Sequence, residues 1–428
     1  MTARKLGLVA VAASLLIAMP VSAFVLSEDE IEDTGTDAGV IVRNFDFVLG
    51  GKTLEPPRNT EDASPAASSV LDVRTYLSYR SSHLRLVWHQ STTSTVRSHS
   101  SLGLLDLGRS TLPPRWLPLR AEDKNGSTLQ LGTETDWAYL ALVVGRTTVT
   151  LGRQPVTLGR GRLFHPSDLV SQFSLTEVDT EYKPGVDGAR VDFSPDSSTT
   201  LTAVAAGGER ERDHDLGMDR KGSSTVLQVK RGWDHGEFSA LGAWVRNDLV
   251  LGYGALFDLG ALDLYGELTV TWLGSRSLSA PAVQGRHAPV LRALSGMNLH
   301  PVEHLTVIPE VYYDGFGAQR ASDYLAVATS ERVAVGEQVT FGRLYAGAVA
   351  DWEADPTVHV TLLGLSNVLD PSGLLSASVS YDAAANTRLV LGGYLPLGPL
   401  PRVGPVPQPR SEYGSYPWFG YAELRVVL

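Results

Sequence analysis

No cysteine occurs in the 428 residues. That excludes a disulfide framework, a Cys-ligated metal, a haem-binding Cys pair and a lipid-modified N-terminal cysteine. Charge is also sparse, at 19% of residues against about 25% in soluble domains. Positive charge is the minority: 36 Lys and Arg face 47 Asp and Glu, a net −11. A surplus of that sign disfavours nucleic acid as a partner. Beyond the first residues no uncharged apolar run reaches the roughly 18 residues a membrane-crossing helix needs.

The N-terminus reads as an export address. Arg4 and Lys5 precede an apolar stretch from Leu6 to Met19, and Val21-Ser22-Ala23 forms a small-residue cleavage site. This is the pattern of a cleaved signal peptide over 1–23. Residues 24–39 follow as an acidic lead-in (Glu28, Asp29, Glu30, Glu32, Asp33, Asp37), expected to be solvated in the periplasm.

From 40 to 428 the texture is β. Segments of about ten residues alternate with a period of two, the length a tilted strand needs to cross a bilayer. In Asp72–Arg80, the residues Val73, Thr75, Leu77 and Tyr79 share one face, and Asp72, Arg74, Tyr76, Ser78 and Arg80 the other. In Ala261–Thr271 the apolar face is Leu262, Leu264, Gly266, Leu268 and Val270, and the polar face Asp263, Tyr265, Glu267 and Thr269. Eighteen candidate strands begin near Val40, Ser69, His83, Asp136, Arg146, Gly188, Thr200, Thr225, Glu237, Leu249, Ala261, Val290, Glu303, Thr340, Thr357, Leu374, Asn386 and Trp418.

The connections alternate in length. Tight turns rich in Gly, Pro, Asp and Ser follow the even strands, as turn geometry demands. Long polar loops follow most odd ones, at 50–68, 92–134, 154–187, 207–223, 274–288, 315–339 and 396–417. Long loops on one side and short turns on the other is the plan of a bacterial outer-membrane barrel; a sandwich has no reason to keep that parity. The expected fold is therefore all-β: a single antiparallel transmembrane β-barrel of about 18 strands, with 16 the alternative. The last strand, Trp418–Leu428, would turn Trp418, Gly420, Ala422, Leu424, Val426 and Leu428 to lipid. Its apolar end resembles the signal read by the barrel-assembly machinery, with Leu in place of the more usual Phe.

The connection at 154–187 is too long and irregular for a strand, and such loops are usually functional or disordered. Phe164, Phe173, Tyr182, Pro166 and Pro184 argue for order. The expectation is a loop folded into the barrel mouth. Its Gly152-Arg153-Gln154, Gly159 to Asp168 and Glu181 to Asp187 resemble a block in porin-like outer-membrane proteins related to the alginate-export family. The resemblance covers about forty residues. It implies an eighteen-strand barrel, a loop packed inside the lumen and, in the polysaccharide exporters, an arginine-rich constriction.

The site expected along the solute path comprises Arg153, Arg160, Arg162, His165, Asp168, Lys183 and Asp187, with wall residues Arg74, Arg146, Arg190 and Arg343. Guanidinium forks match carboxylates, so a small hydrophilic or polyanionic solute fits, in a barrel whose outer partner is outer-membrane lipid. Mixed charge paired across a water-filled lumen accounts for the same residues without selectivity. Two other readings stay open: a barrel-embedded hydrolase using His89 near Ser81 and His83, and a structural barrel sheathing a partner protein. No cofactor is expected. Gly159-x-Gly161 lacks the third glycine of a dinucleotide loop. Asp213, His214, Asp215 and Asp219 could hold a divalent cation, but their spacing matches no EF-hand.

Overall fold

In the computed structural model, which describes residues 34–50, 66–98, 115–125, 128–171, 182–208, 222–283, 288–402 and 408–428, alternation becomes an antiparallel sheet that closes on itself. The strands are β1 (Gly35–Gly50), β2 (Ala66–Arg80), β3 (Leu84–Arg97), β4 (Arg120–Asn125), β5 (Leu129–Val144), β6 (Thr147–Gln154), β7 (Val186–Phe193), β8 (Thr199–Gly207), β9 (Ser224–Trp233) and β10 (Gly236–Val245). They continue with β11 (Asp248–Asp258), β12 (Leu262–Trp272), β13 (Val290–Val302), β14 (Leu305–Asp314), β15 (Leu344–Asp355), β16 (Val358–Asn367), β17 (Ser372–Ala384), β18 (Thr387–Leu397) and β19 (Trp418–Val427).

Eighteen of these form the barrel. β1 pairs with β2 on one side and with β19 on the other, so the sheet has no edge. The nineteenth, β4, pairs with Leu129–Glu134 of β5, above the point where β6 ends. Closure satisfies every wall strand's backbone without water, the condition for residence in hydrocarbon.

The two faces obey the expected period. On β12, Leu264 and Leu268 are exposed outward, while Tyr265, Glu267 and Thr269 are buried inward. Outward aromatics form two belts. Phe193, Trp233, Phe238, Phe257, Trp352 and Tyr381 lie near the short turns, and Trp244, Trp272 and Trp418 near the long loops. Such girdles sit at the two bilayer interfaces of membrane barrels.

Three boundaries differ from expectation. β1 starts at Gly35, so 35–39 of the anticipated lead-in belong to the wall. The anticipated loop 92–134 instead holds the top of β3, all of β4 and the start of β5. Polar residues face both ways there, which hides the strand period. Gln90 is clamped by two threonines, donating to Thr133 Oγ1 at 2.7 Å and accepting from Thr135 Oγ1 at 2.6 Å. The loop before β15 folds into two short helices, Tyr324–Ala328 and Glu331–Ala334, the second capped by Ser330 Oγ accepting from Val333 N. The expected signal peptide 1–23 and the charged stretch 209–221 lie outside the described residues.

The wall is uneven. β6, β7 and β8 have only 8 or 9 residues, whereas β1, β2, β3 and β5 have 14 to 16. The long connection 155–185 leaves from the low side.

Candidate functional site

Gly152 begins the departure. Its φ of +117° is one only glycine adopts readily, and a Cβ there would meet the Ala138 carbonyl oxygen at 2.2 Å. The distortion sets Arg153 directly opposite Asp187. Arg153 donates to both carboxylate oxygens of Asp187, at 2.7 and 2.9 Å, and to the carbonyls of Thr135 and Leu117. Asp187 also accepts from the backbone N–H of Trp116 and Leu117. The pair is 1–2% exposed and ties the loop's two ends to segment 115–119. Burial, then the nearby Arg153 charge, pulls neighbouring Arg115 down to about 10.

The loop then lies along the inner wall. Val156, Leu158, Leu169 and Val170 join Val204, Val226, Leu241, Ala243, Val245 and Val250 in one apolar cluster. Asp168 braces the turn from within, accepting from Leu158 N at 2.6 Å, Gly159 N at 3.0 Å and Lys183 Nζ at 2.7 Å. Burial pushes the Asp168 carboxyl up, but the Lys183 charge, His165 and these hydrogen bonds outweigh it and hold it below the ordinary value.

Two wall carboxylates hold the loop by its N–H groups. Glu267 on β12 accepts from Arg160, Gly161 and Ser167. Glu310 on β14 accepts from Arg162 at 2.6 Å, Leu163 at 2.9 Å, Phe164 at 3.2 Å and the Tyr265 hydroxyl at 2.5 Å. Three consecutive amides on one carboxylate require a tight bend. Gly161 permits it, since a Cβ there would overlap the Phe164 carbonyl oxygen at 1.8 Å. Phe164 stacks on Tyr312 with centroids 4.6 Å apart. Just before β7, Tyr182 lies against Arg74 (3.9 Å) and Arg43 (5.3 Å), and Trp137 Nε1 donates to Lys183 O.

The structure thus sorts the anticipated site residues. Arg160 and Arg162 stay exposed on the lumen side of the loop, reaching Glu237 at 2.5 Å and Asp351 at 3.5 Å. Arg190 lies half-buried on the wall, in a bidentate pair with Asp192 at 2.7 and 3.0 Å. His165 supplies the carbonyl that turns the chain back toward Asp168.

The remainder were expected along the solute path and are instead taken up in buried pairs, at a turn or at the rim. Arg153, Asp187, Asp168 and Lys183 are latches: a buried opposite charge lies within reach of each, and the loop's own backbone covers them. Arg74 is buried between Asp72 and Asp136. Arg146 sits at a short turn and donates to Pro195 O, far from the loop. Arg343 stands at the outer rim, donating to Gly317 O and Ala282 O. His89 stacks on Trp137 at 4.6 Å, above a turn where Ser82 Oγ meets His83 Nδ1 and Ser81 Oγ accepts from Leu84 N, so the histidines and Ser81 do not converge.

Several residues were missed. Glu267 and Glu310 read as ordinary lumen acids, although each lies across from a glycine-rich segment with N–H groups to spare. Arg43 was missed as well. On the inner face, Arg388 of β18 pairs with Arg425 of β19, and Arg425 with Arg43 of β1, directly across the strands. At the rim, Glu412 accepts from Phe341 N, Gly342 N, Asn367 Nδ2 and the Tyr345 hydroxyl. Burial pushes its carboxyl up to about 7.

No family model matches the chain, and no curated protein matches it. Solved structures do. A BenF-like porin from Pseudomonas fluorescens Pf-5 superposes with a TM-score of 0.55 at 10% identity, covering 92% of this chain and 98% of that one. The outer membrane protein opdK from Pseudomonas aeruginosa gives 0.53 at 9%, over 92% and 98%. OccAB1 of Acinetobacter baumannii gives 0.53 at 11%, over 91% and 96%. At such identities the likeness establishes the fold, an eighteen-strand barrel of the porin kind.

Proposed function

We propose that this chain is a passive channel of the Gram-negative outer membrane that favours small hydrophilic anions. The observation that carries the reading is the row Arg388, Arg425 and Arg43, paired directly across three adjacent strands on the inner face. Like charges so placed destabilise a sheet. Their retention suits a wall that an anion passes. Arg388 pairs with Asp382 and Arg43 with Asp72. Residues 156–170 of the inward loop lie mainly along β8 to β15 and carry Arg160 and Arg162 to the lumen side, while Tyr182 reaches Arg43 at the end of the row. A loop narrowing a charged lumen sets size and charge selectivity, and an eighteen-strand barrel is wide enough for an aqueous path. No energy source enters the reading.

Support for the membrane setting comes from the closed sheet, the two aromatic belts and the outer-membrane origin of the similar structures. The block around Gly152-Arg153-Gln154 adds an exported polysaccharide of the alginate type as a larger solute. The latched loop favours the smaller one. The test is the reversal potential of the purified protein in a planar bilayer under a salt gradient. Conductance with anion preference is expected; cation preference defeats the arginine reading.

A further inference from the structure

The structure assigns to Arg246 a positioning role: it holds the constricting loop by its carbonyls and couples it to the outer loop 315–343. Arg246 and Asn247 form the two-residue connection between β10 and β11, with φ of 48° and 74°. Two consecutive left-handed residues define a tight hairpin turn that glycine, asparagine or aspartate usually fills. An arginine in that conformation is uncommon. Here the residue is 2% exposed, and its guanidinium reaches under the turn to the loop. Nη1 donates to Leu169 O at 3.2 Å and Nη2 to Val170 O at 3.3 Å.

The polarity complements the other latches. Glu267 and Glu310 take the loop's N–H groups on β12 and β14; Arg246 takes C=O groups at the opposite end of the same limb. The same Nη1 also donates to Glu337 Oε2 at 3.2 Å. Glu337 follows the second short helix of the outer loop, and Arg332 of that helix pairs with its other oxygen, Oε1. Arg332 is fully buried. It continues to Asp248 Oδ2 and Ser277 Oγ, each at 2.6 Å, with its guanidinium 4.2 Å from the Phe316 ring. Arg292 adds a third guanidinium, donating to Glu337 O at 3.5 Å, and Asp314 accepts from Thr340. A displacement of the outer loop therefore reaches Leu169 and Val170 through one side chain.

That the loop constricts a pore rests on the channel reading above, so loop opening is read independently of conduction. The chain has no native cysteine, and Ser171 beside the anchored carbonyls is only 5% exposed. Ser171→Cys therefore reports loop opening through its labelling by a water-soluble maleimide. With Arg246→Met added, labelling is expected to accelerate roughly ten-fold, the scale of a local opening made easier by loss of one anchor. Open-channel current noise is expected to rise with it. Glu337→Gln is expected to give a smaller acceleration on its own and none on top of Arg246→Met, because both act through one path. Unchanged labelling in a barrel that still migrates as folded without heating, or additive effects of the two substitutions, overturns the inference. If Arg246→Met does not fold, Arg246→Lys keeps the charge near Glu337 but cannot fork to both carbonyls, and the same acceleration is required of it. Faster labelling in a protein that does not conduct would leave the anchor standing and remove the channel reading.

Discussion

Arg153 and Asp187 are separated by 34 positions in the chain, yet stand directly opposite each other across β6 and β7, joined by two hydrogen bonds of 2.7 and 2.9 Å. An arginine expected along the solute path is the knot that closes the inward loop. Breaking a buried pair by removing one partner strands the other charge and costs about 3–5 kcal/mol. Arg153→Met is expected to destabilise by that order, read as a lower urea midpoint for refolded protein. Arg153→Met with Asp187→Leu should recover much of the loss. A single substitution with an unchanged midpoint would show that the pair holds nothing.

Glu310 supports the far end of the loop. It accepts three consecutive backbone N–H groups and is 2% exposed. Glu310→Gln keeps the size but places an N–H donor against those amides. The loop end is expected to detach, at a cost of about 2–5 kcal/mol for a buried charged acceptor, and single-channel conductance is expected to rise. Conductance equal to the unsubstituted protein's would sink the latch.

Acid and alkali are expected to loosen different places. Asp168 has a folded value below its ordinary 3.8, so its contribution is present above about pH 4 and is lost as pH falls through the folded value. Conductance should therefore rise in strong acid, and Asp168→Asn should remove that dependence. Glu412 has the opposite sign, with a folded value of about 7 against an ordinary 4.5. Its stability contribution is complete below about pH 4.5 and is lost as pH rises through about 7. Glu412→Gln should flatten the fall in thermal midpoint across that window, measured by heat-dependent gel migration.

Among the described residues of the loop, Arg160 and Arg162 are the arginines on the lumen side, reaching Glu237 and Asp351. Replacing both by Gln uncovers Glu237 and Asp351. The reversal potential is expected to move toward cations, with the shift shrinking at high salt as screening shortens the reach of exposed charge. An unmoved potential would place selectivity elsewhere.

The barrel was readable because its physics is local. Every second residue faces lipid, so the period, turn chemistry and loop parity recur along the chain without knowledge of any partner strand. All but one of the eighteen starts fell within five residues of the observed ones, and the larger errors have local causes. β5 begins seven residues ahead of its expected start because Thr133, Thr135 and Gln90 hydrogen-bond on the outer face and break the apolar period.

The site was readable only as an address. The stretch 154–187 announced an inward loop through its length, arginines and aromatics. Which arginine becomes a latch and which faces the lumen depends on carboxylates 34 to 148 positions away in the chain. Pairings over such separations follow from strand register and loop path. The charge of Arg153 and that of Arg162 are equal in the sequence. The register of β6 on β7 brought Asp187 within 3 Å of the first, and the path of the loop left the second at the water.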